Sequence, residues 1–174
     1  MVLDLYVAAA FSLGGAAYRF FSAHPDPAAM PILSLLIALA LSTYAQCLFG
    51  LDRSSSAMVR CRLLPLKGWE ILWAKDAAFL ALLAVLVLPL DPLTGLTSGL
   101  VALALGHHAS VMMTAPMRRW RFSGSRLFPG LVGGIGGLMM GFAEHQRGSL
   151  YFVAAVALWA ASLALYGNVV SSRA

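Results

Sequence analysis

Charged residues are scarce in this chain, and acidic residues are the scarcer kind. The 174 residues include 12 Lys and Arg and 7 Asp and Glu, which together make 11% of the total. A soluble domain carries about 25% charged residues, because its surface must be hydrated. The composition excludes an ordinary water-soluble domain. The 60% share of hydrophobic residues and the mean hydropathy of +0.82 predict an integral membrane protein instead.

Cysteine and long polar stretches are also nearly missing. Two cysteines, Cys47 and Cys61, stand without a second pair, which is too few for a zinc site, and we assign them no chemistry. The connectors between apolar runs are short, so we expect residues 1–174 to form a single transmembrane domain without a soluble catalytic domain. No stretch matches the Gly-x-x-x-x-Gly-Lys-[Ser/Thr] pattern of a nucleotide-binding P-loop.

Six apolar segments follow one another along the chain. A helix needs about 20 residues to cross the hydrocarbon core of a bilayer. The sequence therefore predicts an all-α, polytopic membrane protein with about six transmembrane helices. Asp91 and Pro92 separate the third segment from the fourth so closely that the two should form an antiparallel hairpin. The predicted spans are residues 3–21, 30–50, 76–90, 93–115, 127–143 and 149–167.

Basic residues are concentrated in alternate connectors. Five of them lie in 51–75, four lie in 116–126 and Arg173 follows the last span, whereas Arg19 and Arg147 lie near the other connectors. Cytoplasmic loops of membrane proteins are enriched in Lys and Arg, so both basic connectors and both termini are predicted to be cytoplasmic in a multi-pass protein of the inner membrane. Insertion topology also accounts for the net charge of +5, so membrane lipids are expected partners and nucleic acid is not.

Small residues recur in the fifth apolar segment. Their spacing lets helix backbones approach closely, which is a main source of helix association in lipid. No Lys-Ser or Lys-Thr follows them, so a phosphate loop is not predicted there. The predicted helix-packing residues are Gly130, Gly133, Gly134, Gly137 and Gly141.

The end of the first basic connector is predicted to be a short amphipathic helix. From Pro65 onward, Trp69, Leu72 and Trp73 share one face at helical spacing, and tryptophans favour the membrane interface. This helix would be cytoplasmic and lie between the second and third spans. The alternative is an interfacial anchor that only feeds the chain into the third span.

Two groups of residues resemble the permeases of bacterial ABC-2 type transporters. The first resembles the family's Phe-Gly-x-Asp, Leu-x-Pro and Ile-Leu-x-x-Lys pattern, and the second resembles its Gly-Asn-x-x-Ser-Val-x-x-Pro pattern before a basic loop. His107 stands where the family usually has Asn. The likeness covers residues 46–126. The matching residues are Phe49, Gly50, Asp52, Leu64, Pro65, Gly68, Ile71, Leu72 and Lys75, then Gly106, Ser110, Val111 and Pro116.

The resemblance implies a membrane-spanning exporter subunit that is not itself an enzyme. It implies a separate ATP-binding subunit that holds ATP and Mg, no cofactor on this chain, and pairing with a second copy or another permease. Arg60 and Arg62 would offer charge to the ATP-binding subunit. The residues it implies for contact with that subunit are Leu64, Pro65, Lys67, Gly68, Trp69, Ile71, Leu72, Trp73 and Lys75.

The residues leave two other classes of function open. A non-transporting membrane scaffold needs the same packing and the same basic loop. A membrane-embedded lipid-modifying enzyme needs converging polar groups, and Asp76 beside Lys75 with His107 and His108 forms no recognisable catalytic motif. Adjacent histidines on a helix point about 100° apart, so we predict no metal site and expect this pair to be hydrogen-bonded to neighbouring helices.

Overall fold

The described part of the chain is entirely α-helical. A computed structural model of the protein describes residues 2–45, 66–112 and 124–172, and these form six helices and no strand. This confirms the predicted all-α class and the order of the apolar segments. The helices are α1 (Val2–Phe21), α2 (Ala29–Ala45), α3 (Gly68–Val87), α4 (Pro92–Met112), α5 (Gly124–Arg147) and α6 (Leu150–Ser172).

Helix α3 begins earlier than the sequence predicts. It is one continuous helix of 20 residues, so Gly68 to Lys75 form its first turns rather than a separate short helix before a span at residue 76. Lys67 is extended, and its backbone N–H donates to Glu70 Oε2 at 2.7 Å, which satisfies a polar group at the start of the helix. The prediction of a separate helix was wrong because Lys75 and Asp76 suggested a connector, whereas both are buried.

Successive helices run in opposite directions. Three short turns, at residues 22–28, 88–91 and 148–149, lie at one end of the bundle, which we call the turn end. The other end, which we call the loop end, holds Ala45, Gly68, Met112 and Gly124. The hairpin between α3 and α4 forms as predicted, since Asp91 caps α4 through a bond from the Thr94 N–H to Asp91 Oδ1 at 3.3 Å.

Helix α4 is the centre of the bundle. It packs against α2, α3, α5 and α6, and most of its side chains are buried. Helix α1 lies at the edge and packs against α2 and α3. Two side chains fasten α1 to the end of α3: Ser12 Oγ donates to the Leu86 carbonyl at 2.6 Å, and Arg19 donates to the Pro89 and Leu90 carbonyls at 2.8 and 3.0 Å. The positive charge of Arg19 is also attracted by the negative end of the helix dipole of α3.

Large apolar side chains lie on the outside of the bundle as well as in its core. Among the described residues, one helix, Leu150–Val170, is long and apolar enough to cross a membrane. Its apolar stretch has a mean hydropathy of 1.8, and 11% of that stretch is buried inside the bundle. The apolar stretch Ala29–Ser42 is shorter. Large apolar side chains are exposed on all six helices, including Leu13, Phe20, Ile32, Val85, Leu93, Ile135, Met139, Val153 and Leu165.

The glycine stripe of α5 faces α2 and α4. A Cβ on Gly137 would lie 2.7 Å from the Ser98 carbonyl oxygen, and one on Gly141 would lie 3.0 Å from the Thr94 carbonyl oxygen. Gly134 faces the side chain of Leu39 of α2, and Gly133 is also buried. The backbones of α5 and α4 approach closely at Gly137 and Gly141, because no side chain separates them. The surroundings of Gly130, also in α5, lie outside the described contacts.

Replacing Gly137 by Ala should destabilise the bundle by about 1 to 3 kcal/mol, because the new methyl group meets backbone rather than a flexible side chain. Gly14→Ala is the matched control, since a Cβ at Gly14 of α1 meets nothing within 4 Å. The control should gain up to about 1 kcal/mol from helix propensity. Thermal unfolding of both variants in detergent checks this. Equal shifts in the two variants would contradict the packing of α5 on α4.

Candidate functional site

A group of buried polar side chains near the loop end is the candidate functional site. Its centre is Asp76 of α3, which is 0% exposed, beside Lys75, which is 7% exposed. Two buried charges in an apolar bundle need partners that replace the water they have lost. Those partners come from α2, α4 and α6. We call the group the Asp76 network: Lys75, Asp76, His107, Ser110, Trp159, Ser162 and the Ala45 carbonyl.

Two ring nitrogens converge on one oxygen of Asp76. His107 Nε2 lies 2.8 Å from Asp76 Oδ2, and Trp159 Nε1 donates to the same oxygen at 2.7 Å. The other oxygen, Oδ1, lies 3.9 Å from Lys75 Nζ and has no hydrogen-bond partner among the residues that the structure describes. Asp76 therefore joins α3 to α4 through His107 and to α6 through Trp159. Charge-assisted hydrogen bonds of this kind are stronger than neutral ones.

His107 is fully buried and has a partner at each ring nitrogen. Its Nδ1 lies 2.9 Å from Ser162 Oγ of α6, and the Ser162 hydroxyl donates to the Ala104 carbonyl of α4 at 2.8 Å. Its neighbour His108 lies 3.0 Å from the Tyr166 hydroxyl of α6 through Nδ1. Both histidines thus have hydrogen-bond partners on neighbouring helices, as the sequence predicts, and they point in different directions.

Lys75 joins α3 to the end of α2. Its ammonium group donates to the Ala45 carbonyl at 2.8 Å and to Ser110 Oγ of α4 at 3.1 Å. Ser110 Oγ also lies within hydrogen-bond distance of the Gly106 and Ala45 carbonyls, at 3.0 and 3.2 Å. A Cβ on Gly106 would lie 2.7 Å from that same Ala45 carbonyl, so a larger residue would displace the acceptor that Lys75 uses.

The two segments of the permease resemblance meet in this region. Lys75 of the first segment bonds to Ser110 of the second. Ile71 and Leu72 pack with Val111 and with Val170 of α6 in one apolar cluster. The described matching residues therefore come together at the loop end. Phe49, Gly50, Asp52, Leu64, Pro65 and Pro116 lie outside the described residues, as do Arg60, Arg62 and the connector between α4 and α5.

The residues proposed for contact with a partner divide into an exposed and a buried set. Lys67 is exposed, and Trp69 and Trp73 are each 46% exposed. Trp73 also lies against Trp159, with ring centroids 5.4 Å apart. The expected shared face of Trp69, Leu72 and Trp73 is directed toward α6, where Leu72 is fully buried and the two tryptophans are half-exposed. The buried set is Gly68, Ile71, Leu72 and Lys75, which are engaged inside the bundle and leave no surface for a second protein.

A second polar group lies at the turn end. The hydroxyl of Thr94 lies 2.8 Å from Asp91 Oδ2 and 2.9 Å from Glu144 Oε2, and Glu144 is buried. His145 Nδ1 is 3.5 Å from the same Asp91 oxygen, and Ser34 Oγ accepts from the Asp91 N–H at 3.1 Å. These bonds tie the start of α4 to α2 and α5. The group is at the opposite end of the bundle from His107.

The Asp76 network contains the residue types of a serine hydrolase. Hydrogen bonds connect Ser162 to His107 and His107 to Asp76. A serine nucleophile must reach a substrate, yet Asp76 and His107 are fully buried and the Ser162 hydroxyl is bonded to a carbonyl. Within the described ranges, no group of three His, Cys, Asp or Glu side chains could hold a metal ion. The arrangement suits holding helices together.

No family model matches the chain, and neither a curated protein nor a solved structure matches it.

The Lys75→Met variant should be destabilised by about 3 to 5 kcal/mol. Methionine keeps most of the side-chain volume but leaves the buried Asp76 carboxylate without its neighbouring cation and the Ala45 carbonyl without its donor. Lys67→Met is the matched control, because Lys67 is exposed, and it should change stability by no more than about 0.5 kcal/mol. Thermal unfolding in detergent compares them. A Lys75→Met variant as stable as the control would contradict the buried contact.

Proposed function

We propose that this chain is a multi-pass protein of the cytoplasmic membrane, with its six helices crossing the bilayer and its loop end in the cytoplasm. The apolar outer surface supports this, because soluble monomers rarely expose large contiguous apolar patches. Helix α6 supports it most directly. The two basic connectors both begin and end at the loop end, which agrees with the cytoplasmic enrichment of Lys and Arg.

The topology can be tested with single cysteines. Cys61 lies in the first basic connector, and Ala23→Cys places a thiol in the turn between α1 and α2. In variants that carry one or the other alone, a membrane-impermeant maleimide added to intact cells should label the cysteine at position 23 and not Cys61. Both should react after permeabilisation. Labelling of Cys61 in intact cells would reverse the orientation, and extraction of the protein without detergent would contradict the membrane assignment.

We propose further that the chain is the membrane subunit of an ATP-driven exporter of the ABC-2 type. The observation that carries this is the continuity of α3. The helix runs without a break from Gly68, the residue after Lys67 of the basic connector, to the buried Asp76, a distance of about 12 Å at 1.5 Å per residue. A displacement at its exposed start would therefore reach the Asp76 network as a rigid-body movement, because the intervening residues are one helix.

The ATP-binding subunit would contact the exposed start of α3. Lys67, Trp69 and Trp73 offer a cation and two aromatic rings at the loop end, which is the composition typical of interface hot spots. ATP and Mg would bind that subunit. Closure of its dimer would press on α3, and the Asp76 network would pass the displacement to α2, α4 and α6. Two such bundles, from a second copy or another permease, would enclose the path of the substrate.

The coupling role predicts a loss of partner contact without loss of fold. The double variant Lys67→Gln, Trp69→Gln should remain folded, because Lys67 is exposed and Trp69 is half-exposed, and should bind the ATP-binding subunit roughly 30-fold more weakly, as expected for loss of an anchor of about 2 kcal/mol. Phe21→Gln is the matched control, an exposed aromatic at the turn end. Affinity and stimulated ATP hydrolysis are both measured on the copurified complex.

The outcomes separate the exporter from the alternatives. An ATP-binding subunit that copurifies with the wild-type chain, and whose ATP hydrolysis loses its coupling in the double variant, supports the exporter. A copurifying protein without ATPase activity supports a membrane scaffold. A chain purified repeatedly from its host without any ATPase contradicts the exporter proposal. A lipid-modifying enzyme is the least supported alternative, because Asp76 and His107 are fully buried and the Ser162 hydroxyl is bonded to the Ala104 carbonyl.

A further inference from the structure

One side chain of α6, Trp159, contacts α3 at two positions that lie one helical turn apart. Its ring lies against the ring of Trp73, with the centroids 5.4 Å apart and the planes inclined by 44°. Its Nε1 donates a hydrogen bond of 2.7 Å to Asp76 Oδ2. Residues three positions apart are neighbours on a helix surface, so one indole can reach both. Trp159 therefore connects an aromatic ring of α3 with a carboxyl group of the same helix.

The three side chains lie at increasing depth in the bundle. Trp73 is 46% exposed, Trp159 is partly buried and Asp76 is 0% exposed. A lipid or another protein can therefore touch the ring of Trp73, whereas the carboxyl group of Asp76 is covered. The two indoles form a continuous path of contact from the surface of the bundle to that carboxyl group.

The bond from Trp159 to Asp76 depends on the orientation of the indole. An indole has one N–H donor, which lies in the plane of a rigid ring, and hydrogen bonds weaken steeply as their angle closes. A movement of the Trp73 ring that tilts the Trp159 ring would therefore bend or lengthen this bond. The same Asp76 oxygen lies 2.8 Å from His107 Nε2 of α4. A change at Trp159 thus alters how Asp76 is shared between α4 and α6.

We infer that Trp159 is a positioning residue, through which contact at the exposed Trp73 ring changes the hydrogen bonding of the buried Asp76. This route differs from a rigid-body movement of α3, because Trp73 and Asp76 both belong to that helix and Trp159 belongs to α6. In the exporter, the ATP-binding subunit would be the partner at Trp73, and this part rests on the proposed function. The link between the three side chains is a property of the chain alone.

Hydrogen exchange of the indole N–H groups reads the bond in the chain alone, in detergent. Among the four tryptophans, the Trp159 signal is assigned with Trp159→Phe. Trp73→Leu should speed exchange of the Trp159 N–H by about twofold to tenfold, which is the fold-change for loss of an aromatic pair. Trp69→Leu is the matched control, because Trp69 is also 46% exposed on α3 but packs on Gly167, and it should leave the rate unchanged. Equal rates in wild type and Trp73→Leu overturn the inference.

A double-mutant cycle between Trp73 and Asp76 is a second readout, which packing by Trp159 alone would not move. The unfolding equilibrium is measured by SDS titration for Trp73→Leu, Asp76→Asn and the double variant. The combined effect should differ from the product of the single effects by at least about twofold. In the Trp159→Phe background the effects should multiply, because Phe keeps a ring beside Trp73 but has no N–H. Coupling that is missing in the wild type, or unchanged in that background, overturns the inference. Should Asp76→Asn not fold, the exchange rates decide.

The role of Trp159 and the exporter proposal fail separately. Faster exchange and coupling in the chain alone, with no ATPase copurifying, would support the role of Trp159 and contradict the exporter. A copurifying ATPase that the wild type and Trp159→Phe stimulate equally would support the exporter and contradict the role of Trp159 in it.

Discussion

The burial of two adjacent charges, Lys75 and Asp76, constrains the whole arrangement of helices at the loop end. Both residues are buried, Asp76 fully and Lys75 almost fully, so each needs hydrogen-bond partners within the bundle. Lys75 obtains them at the end of α2 and on α4, and Asp76 obtains them on α4 and α6. Because hydrogen bonds tolerate little error in distance and angle, these contacts set the rotation and the axial position of α3 relative to three other helices.

The other face of α4 is held in a different way. Its contact with α5 depends on close backbone approach at Gly137 and Gly141, where dispersion forces act over many atoms and no charge is involved. The α5 side of the central helix is therefore held by close packing, with one polar contact from Thr94 to Glu144 at the turn end, and the α3 side is held by polar bonds at the loop end. A conformational response of the bundle to a partner at the loop end should be located at α3, since that helix carries the polar contacts there.

Local signals predicted most of the fold. Apolar length predicted six helices, Asp91 and Pro92 predicted the hairpin, and glycine spacing indicated a helix contact in α5. The start of α3 was not predicted, because Lys75 and Asp76 are typical of a connector unless their partners are known. One of those partners, Trp159, is 83 positions away along the chain. Neither periodicity nor charge within a short window contains that information.

A signal for the site was nevertheless present in the sequence. Two charges lie next to an apolar run that continues to Val87, and adjacent histidines lie inside another apolar run. Ionisable residues at such positions pair with one another more often than they face lipid. A Lys-Asp pair and a histidine on consecutive antiparallel segments, at similar distances from the hairpin turn, are therefore candidates for direct contact. Applied to this hairpin, that rule pairs Asp76 with His107.

Helix α1 extends the influence of α3 to the opposite end of the bundle. Arg19 and Ser12 bind carbonyls at the end of α3, while the start of α3 is bound to α2, α4 and α6. A tilt of α3 about the Asp76 network would therefore carry α1 with it at the turn end. Among the described helices, α1 packs extensively only on α2 and α3. A movement of α1 therefore meets less resistance than a movement of the central α4. A displacement applied at Lys67 would thus be expressed across the full length of the bundle.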